Sequence, residues 1–473
     1  CNSMQALLQV FQNEWLGLYR NKLLIGSFLL LVFILSLTAW MGVKKQDQLQ
    51  VQTKTANDFA RNEWESIGPM NPHSAAHEGT YAYYSPGLMS SLDEGVLSQV
   101  GRVLRLEGHV QNEMAYSARS QESIYSRFGG LMPSLLLQWV VPLLLIFLSF
   151  RSIYQEKEQG RITLLLSQGL GIKQILVGKA LAYFSIACIA LLSTVLVQFI
   201  FLEFNHSNDV FRLIGFVISY LLFYWLIVSL TIVLSTVLKN ATGALSSMLA
   251  IWVLWMVLLP KWTASIASEK YPLPSRFEFK QVMKDDRSKG IDGHNPSKDR
   301  VNKLRDSVLA KYGVSSDSAL PINLDGIVMQ ADEEYGNLVW DKHIGGVFQS
   351  FSSQKKLSQW ASVFNPMYAL KSASMSFAGT DMLHHIHFQR EAEEYRRGFI
   401  KKLNDEHAYG GSKTGDWSWK SSEEFFKNIE TFQYTTVEIS KYKSYWQVDL
   451  LILLVWSISI SVLMCLISKK YLL

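Results

Sequence analysis

Histidine is the residue type in this sequence that is best suited to bind a metal. His73 and His77 are four residues apart, so both lie on one face if their segment is helical. Imidazole and carboxylate groups are ligands for zinc and copper ions. A second group of such residues lies far along the chain and comprises Asp381, His384, His385 and His387. These six residues are therefore candidate metal ligands, provided that the fold brings the two groups together.

The alternative is that these histidines cap helices and form hydrogen bonds within a folded domain. Pro72 and the run NPHSAAHEG favour a turn rather than a stable helix around His73. A metal site also needs an acceptor that orients each imidazole, and sequence spacing does not reveal one.

The sequence contains no motif for a reaction that this chain would carry out alone. A zinc protease helix reads H-E-x-x-H, whereas Ser74 follows His73. A P-loop needs a glycine five residues before its Gly-Lys pair, whereas Lys173 holds that position before Gly178. We therefore predict that the chain is not an enzyme and has no cofactor of its own, apart from a metal at the histidines.

The elements that must position these residues follow from the distribution of charge. Six stretches contain no Asp, Glu, Lys or Arg, and they are residues 23–43, 131–150, 181–202, 213–238, 241–260 and 450–468. Each reaches the length of about 20 apolar residues that crosses a bilayer. The pattern excludes a soluble enzyme and a protein with a single span. It predicts an α-helical membrane protein with six transmembrane helices.

Lys and Arg accumulate on the cytoplasmic side of membranes, so the loops give the orientation. Residues 1–22, 151–180, 239–240 and 469–473 together carry 10 Lys and Arg against 3 acidic residues. We therefore expect both termini in the cytoplasm. The net charge of +5 is then explained by the excess of Lys and Arg on the cytoplasmic side, and it does not imply a nucleic-acid partner.

Residues 44–130, 203–212 and 261–449 then face the other side, and the two long segments, 44–130 and 261–449, are expected to pack into one mainly helical extracytoplasmic domain. All ten histidines lie on that side. Helices are predicted at 297–312, with Ser297 as N-cap and Gly313 as C-cap, and at 380–405. The location that fits is a bacterial inner membrane, with the domain in the periplasm.

Residues 1–22 are predicted to form a cytoplasmic amphipathic helix at the membrane interface, with Trp15 and Tyr19 at headgroup depth. The alternative is that this segment begins the first span. Cys1 is either the first residue of a mature lipoprotein or a remnant before Met4, and the flanking charges favour the remnant.

The predicted spans contain no ionisable side chain of the kind that drives ion-coupled transport. Arg212 and Asp449 lie at span ends, where we expect them to reach the interface. Uncharged polar residues such as Gln138, Tyr220 and Tyr224 more often join helices than bind cargo. Energy for transport would then have to come from a partner.

The loop at 151–180 is the predicted docking surface for that partner. A solvated linker would not carry Leu164 and Leu165 so close to water, whereas a short amphipathic helix suits insertion into a groove of another protein. The alternative is a plain turn between two spans. The candidate contact residues are Glu156, Glu158, Gly160, Arg161, Thr163, Leu164, Leu165, Ser167 and Lys173. Glu156 and Glu158 are expected to meet basic groups of the partner.

The segment Glu156-Lys-Glu-Gln-Gly-Arg-Ile-Thr-Leu-Leu-Leu-Ser167, followed by Lys173 and by Gly178-Lys179, resembles the coupling helix of ABC-2-type permeases. Six spans and an amphipathic first helix are also similar to that family. Further segments resemble a large-ectodomain subgroup related to the multicopper-enzyme-maturation permeases, and they are 71–81, 106–112, 271–275, 311–314, 320–326 and 378–397.

The resemblance implies a permease subunit that couples ATP hydrolysis to export, or to mechanical work on an envelope substrate. The implied partners are two copies of an ATP-binding subunit that holds ATP and Mg²⁺, a second permease copy or a paralogue, lipid, and a periplasmic or outer-membrane protein. The alternative function is a membrane-anchored sensor or assembly scaffold whose outer domain binds a protein or a metal.

Overall fold

The computed structural model of the protein describes residues 3–114, 131–204 and 206–470. Cys1 and residues 115–130 of the first predicted outer segment lie outside this range. The chain is 76% helical. This confirms the predicted helical class.

Six helices are long and apolar enough to cross a membrane, and each overlaps one of the predicted stretches. These spans are Lys22–Glu65, Pro133–Glu158, Ile172–Phe201, Ser207–Val237, Ala241–Lys270 and Ile439–Lys470. The first span is 44 residues long because its helix continues beyond the apolar part, as far as Glu65.

Two spans contain a π-helical turn, and each turn lies just before a proline. Leu136–Val140 precedes Pro142, and Leu254–Leu258 precedes Pro260. Proline has no backbone N–H and its ring clashes with the preceding turn, so the helix widens there. In the π register Val141 N–H donates to Leu136 O, and the next carbonyl, Leu137 O, would need a donor at position 142.

Neighbouring elements supply the donors that the prolines lack. The hydroxyl of Tyr224, in the fourth span, donates to Leu137 O over 2.8 Å. At the second turn, Asn365 Nδ2 donates to Trp255 O over 2.8 Å, which is the carbonyl left without a donor by Pro260. Both proline sites therefore fix where another part of the chain packs.

Asn365 belongs to a helical hairpin that enters the bundle from the segment between the fifth and sixth spans. The insertion helix, Pro366–Ala378, has Met367, Leu370 and Phe377 in the same buried core as the spans. At its tip, Trp456 of the sixth span donates to Val363 O over 3.2 Å, and Trp456 lies near the middle of that span. The segment 261–449 is thus not separate from the bundle.

Polar side chains in the spans join helices, as predicted. Gln138 Nε2 donates to the Tyr220 hydroxyl over 2.9 Å, and that hydroxyl lies 3.0 Å from Ser374 Oγ on the insertion helix. Ser457 Oγ of the sixth span donates to Leu222 O of the fourth.

Most of the described residues between the first and second spans and between the fifth and sixth spans form one domain, which we call the outer domain after its predicted side of the membrane. Trp64 at the end of the first span packs with Phe399 and Phe426 of the second segment. Strands Thr80–Tyr83 and Val103–Leu106 form an antiparallel pair with Thr80 opposite Leu106. The domain helices are Pro72–Glu78, Arg276–Lys289, Ser297–Tyr312, Leu324–Ala361, Met382–Tyr409 and Glu423–Lys427.

Two details of the predicted helices were wrong. The run around His73 is a helix, Pro72–Glu78, because Asn71 caps it and Pro72 stands in its first turn, where proline is tolerated. The helix at 297–312 has the predicted bounds and ends at Gly313, but Ser297 is its first residue and Pro296 is the N-cap.

The N-terminal helix, Ser3–Arg20, is separate from the first span and packs along the third. A β-carbon at Gly178 would lie 2.8 Å from Val10, so glycine permits this close approach. Trp15 Nε1 donates to Ser185 Oγ over 2.8 Å, whereas Tyr19 is exposed.

Candidate functional site

The predicted docking loop consists of two short helices, Tyr154–Glu158 and Arg161–Ser167, which we call the loop helices. Gly160 separates them with a left-handed backbone (φ 69°), a conformation that glycine adopts at no steric cost. The third span then begins at Ile172.

Most of the predicted docking residues lie on the surface. Glu158, Gly160, Arg161, Thr163, Leu164, Ser167 and Lys173 are exposed. Leu164 is 57% exposed. Leu165 instead packs against the core of the bundle. The second loop helix therefore presents one exposed apolar side chain, Leu164, three residues after the charged Arg161.

Glu156 faces inward and has partners within the chain. Its carboxylate accepts from Arg161 Nε over 2.6 Å and lies 3.2 Å from Lys179 Nζ. Lys179 is buried and also pairs with Glu14 of the N-terminal helix, which accepts from Tyr183 as well. Of the two glutamates predicted to meet a partner, only Glu158 is exposed. Sequence reasoning did not assign a role to Glu14 or to Lys179, although Lys179 directly precedes an uncharged stretch of the third span.

The loop is bonded to the end of the fourth span. The backbone N–H groups of Ile153 and Tyr154 both donate to Ser235 Oγ over 3.3 Å. Lys157 Nζ donates to Thr236 O. The first loop helix, Tyr154–Glu158, is therefore fixed to Ser207–Val237.

The other end of the fourth span is bonded to the outer domain through Arg212. Its guanidinium donates to Ser376 O, Phe377 O and Val437 O over 3.1, 3.2 and 2.7 Å. The prediction that Arg212 reaches the interface was wrong, because the side chain is buried. It bonds the carbonyls at the C-terminal end of the insertion helix, where a positive charge is favoured.

Asp381 and His384, predicted as metal ligands, form part of this junction. His384 Nδ1 lies 2.6 Å from Asp381 Oδ1, and His384 Nε2 lies 3.3 Å from Arg212. Asp381 caps the helix Met382–Tyr409 and pairs with Lys355 over 2.6 Å. Burial opposes ionisation of Asp381, but Lys355 and His384 lower its pKa below the usual range.

His385 packs beside Tyr84, with ring centroids 6.2 Å apart, and His387 lies beside Lys441. Burial lowers the pKa of His385 to about 4. His387 Nδ1 lies 3.2 Å from Lys441 Nζ. The hydrogen-bonding alternative therefore describes His384 and His387, and these residues do not meet His73.

His73 and His77 instead meet His109, which sequence reasoning did not single out. Within the described part of the chain these three form a group whose ligand nitrogens all lie within 4.8 Å of one another. The Nε2 atoms of His73 and His77 are 3.2 Å apart. The only sequence signal for His109 was the glycine before it, which is typical of a turn. In the structure this turn follows the strand Val103–Leu106.

Glu333, on the helix Leu324–Ala361, orients His109. Its carboxylate lies 3.1 Å from His109 Nδ1 and also accepts from the His109 backbone N–H. Burial alone would raise the pKa of Glu333, but the bonds to His109 and the charge of Arg396 lower it to about 2. The carboxylate thus faces both the backbone N–H and the Nδ1 atom of His109, which favours a proton on Nδ1.

Two family models match the chain. Residues 97–271 match the model described as ABC-2 family transporter protein, which covers the second to fifth spans. Residues 276–435 match the adjoining Domain of unknown function (DUF3526), which covers most of the second outer segment. No curated protein matches the chain.

Proposed function

The chain contains an ABC-2 family transporter domain and is the membrane subunit of a transporter, and on this premise we propose that ATP drives it. A separate ATP-binding subunit holds ATP and Mg²⁺ and docks on the loop helices. Two such subunits serve a pair of permeases, either two copies of this chain or this chain and a paralogue. The complex exports a substrate, or performs mechanical work on one, through the outer domain.

The bonding at both ends of the fourth span carries this proposal. Ser235 and Thr236 tie one end to the first loop helix, and Arg212 ties the other to the insertion helix. A displacement of the loop by a closing ATPase would therefore move a rigid helix that is fastened to the outer domain. A loop that served only as a turn would not need these bonds.

The exposed surface of the second loop helix supports the choice of docking site. Leu164 is an exposed apolar side chain on the same short helix as exposed Arg161, and Glu158 and Lys173, on the helices before and after it, are exposed as well. Helices that dock in a groove of another protein do so through apolar side chains. The excess of Lys and Arg on this side supports a cytoplasmic loop and a periplasmic domain in a bacterial inner membrane.

The test is co-purification of the tagged full chain with the ATP-binding subunits of its source. The double variant Glu158→Lys with Leu164→Asp removes the exposed apolar side chain and reverses one charge, and leaves the Glu156 network intact. We expect the ATPase to be lost from the purified complex, and ATP turnover that depends on the permease to fall at least tenfold.

Glu394→Lys is the matched control, because Glu394 is an exposed glutamate on the outer domain. It should retain the ATPase. An intact complex with unchanged ATP turnover in the double variant would refute docking at the loop helices.

A further inference from the structure

We propose that His73, His77 and His109 form a metal site for a late first-row divalent cation, with Zn²⁺ as the best fit. The site lies in the outer domain. It is independent of the loop helices and of the proposed coupling to ATP. Three imidazoles are a ligand set that zinc and copper ions accept.

The spacing of the ring nitrogens fits coordination. Zinc binds imidazole nitrogen at about 2.0–2.1 Å, so two ligands of a tetrahedral ion lie about 3.3 Å apart. His73 Nε2 and His77 Nε2 are 3.2 Å apart. The ring of His109 is equally placed, with its centroid 5.3 Å from each of the other two. One N–H···N bond would account for a pair of histidines, but not for a third ring whose ligand nitrogen lies within 4.8 Å of both.

The helix Pro72–Glu78 holds the first two ligands rigidly. His73 and His77 lie on one face, and Asn71 fixes the helix start by accepting from the His73 backbone N–H over 2.9 Å. Asn71 also donates to Trp417 O, and the Trp417 ring packs 5.4 Å from His73. The Trp417 ring therefore covers one side of the three histidines.

His109 is held in place by a strained backbone and a carboxylate. It is the one non-glycine residue with positive φ (65°) in the described part of the chain, a conformation that costs energy and often marks a functional position. Glu333 binds its Nδ1, and Arg287 Nη1 donates to its carbonyl over 2.8 Å. With the proton on Nδ1, the lone pair of Nε2 is free for a metal, which is how a carboxylate orients a zinc-bound imidazole.

Three protein ligands leave one position of a tetrahedral ion for water or a substrate. His77 is exposed, so that position opens to solvent. The ligands come from the first outer segment, whereas Glu333 comes from the second. A bound ion would therefore join the two segments and stabilise their contact.

The experiment uses the full chain, purified with a tag that lacks histidines and stripped with a chelator. Equilibrium dialysis against micromolar Zn²⁺, followed by elemental analysis, should give one ion per chain. Zn²⁺ should also raise Tm by several degrees, because a ligand that binds only the folded state stabilises it. Co²⁺ in the same protein should give the visible absorption of a tetrahedral site.

His77→Ala is the decisive variant, since an exposed residue can be removed without unfolding the domain. We expect its affinity for Zn²⁺ to fall at least tenfold and the Tm rise to disappear. Glu333→Gln should weaken binding about 10- to 100-fold, as expected for a residue that positions a ligand. His294→Ala is the control, because His294 is an exposed histidine outside the group.

Wild-type protein that is folded and binds no Zn²⁺ would overturn the proposal. So would a His77→Ala variant that binds as tightly as the wild type, or an equal loss in His294→Ala. A Co²⁺ spectrum of an octahedral ion would also count against it, since it would indicate a solvent-bound ion.

Discussion

Tyr224→Phe should destabilise the protein, because it removes the hydrogen bond to a backbone carbonyl that Pro142 leaves without a donor. The hydroxyl of Tyr224 serves Leu137 O because position 142 has no N–H to donate. If so, Pro142→Ala should make the hydroxyl dispensable. The backbone N–H of the new residue, or that of Val141 if the turn relaxes to an α-helix, would then pair with Leu137 O.

The expected magnitude follows from the burial of Tyr224, which is 0% exposed. Leaving a buried carbonyl without a donor costs about 1–3 kcal/mol. Hydrogen bonds between membrane helices average about 0.6 kcal/mol and reach about 1.7. Because Phe fills the same space and leaves no cavity, we expect Tyr224→Phe to cost about 1.5 kcal/mol. In the Pro142→Ala background the cost should fall below about 0.5 kcal/mol.

The assay is a double-mutant cycle on the full chain in detergent, with unfolding followed by tryptophan fluorescence. Ser457→Ala is the control, because Ser457 bonds Leu222 O, a carbonyl remote from any proline. Its cost should be the same in both backgrounds. An equal cost of Tyr224→Phe with and without Pro142 would refute the reasoning. The pair Asn365→Ala and Pro260→Ala provides an independent repeat at the second turn.

Two further predictions concern the outer domain and its junction with the bundle. Arg212→Ala should destabilise the protein by at least about 3 kcal/mol, because three buried carbonyls lose a charged donor. Arg212→Lys should recover part of the lost Tm. An unchanged Tm in Arg212→Ala would contradict the role of Arg212 in joining the fourth span to the outer domain. His385 has a pKa of about 4 against 6.5 when unfolded, so the unfolded chain binds the proton first and stability falls as pH drops from 6.5 to 4. In His385→Leu, the loss of unfolding free energy between pH 6.5 and pH 4 should be smaller by about 3 kcal/mol, as measured by denaturant unfolding at several pH values. The same pH dependence in the variant and the wild type would contradict this prediction.

The sequence by itself determined the elements whose causes are local. Charges are costly in hydrocarbon, so six uncharged stretches were enough to predict six spans. Helix ends at Gly313 and Asp381 followed from residue chemistry at single positions. The two π-turns were also within reach, since a proline inside an apolar stretch must disturb its helix.

The insertion helix could not be predicted in the same way. Pro366–Ala378 has 13 residues and contains Lys371, so it is too short and too polar to register as a span. It lies among the spans because Arg212 and Asn365 bond its two ends. Those bonds join residues more than one hundred positions apart, and no local pattern encodes them.

The candidate functional residues likewise fall into those that local sequence could identify and those that only tertiary packing decided. Spacing placed His73 and His77 on one face on the condition of a helix, which the run around Pro72 argued against, and it selected the docking loop, because both depend on neighbours within one turn or one short helix. Only the tertiary structure brought His109 to the pair, turned Glu156 inward and made His384 part of a junction. Each of these outcomes depends on which distant side chain meets the residue, and that is decided by packing.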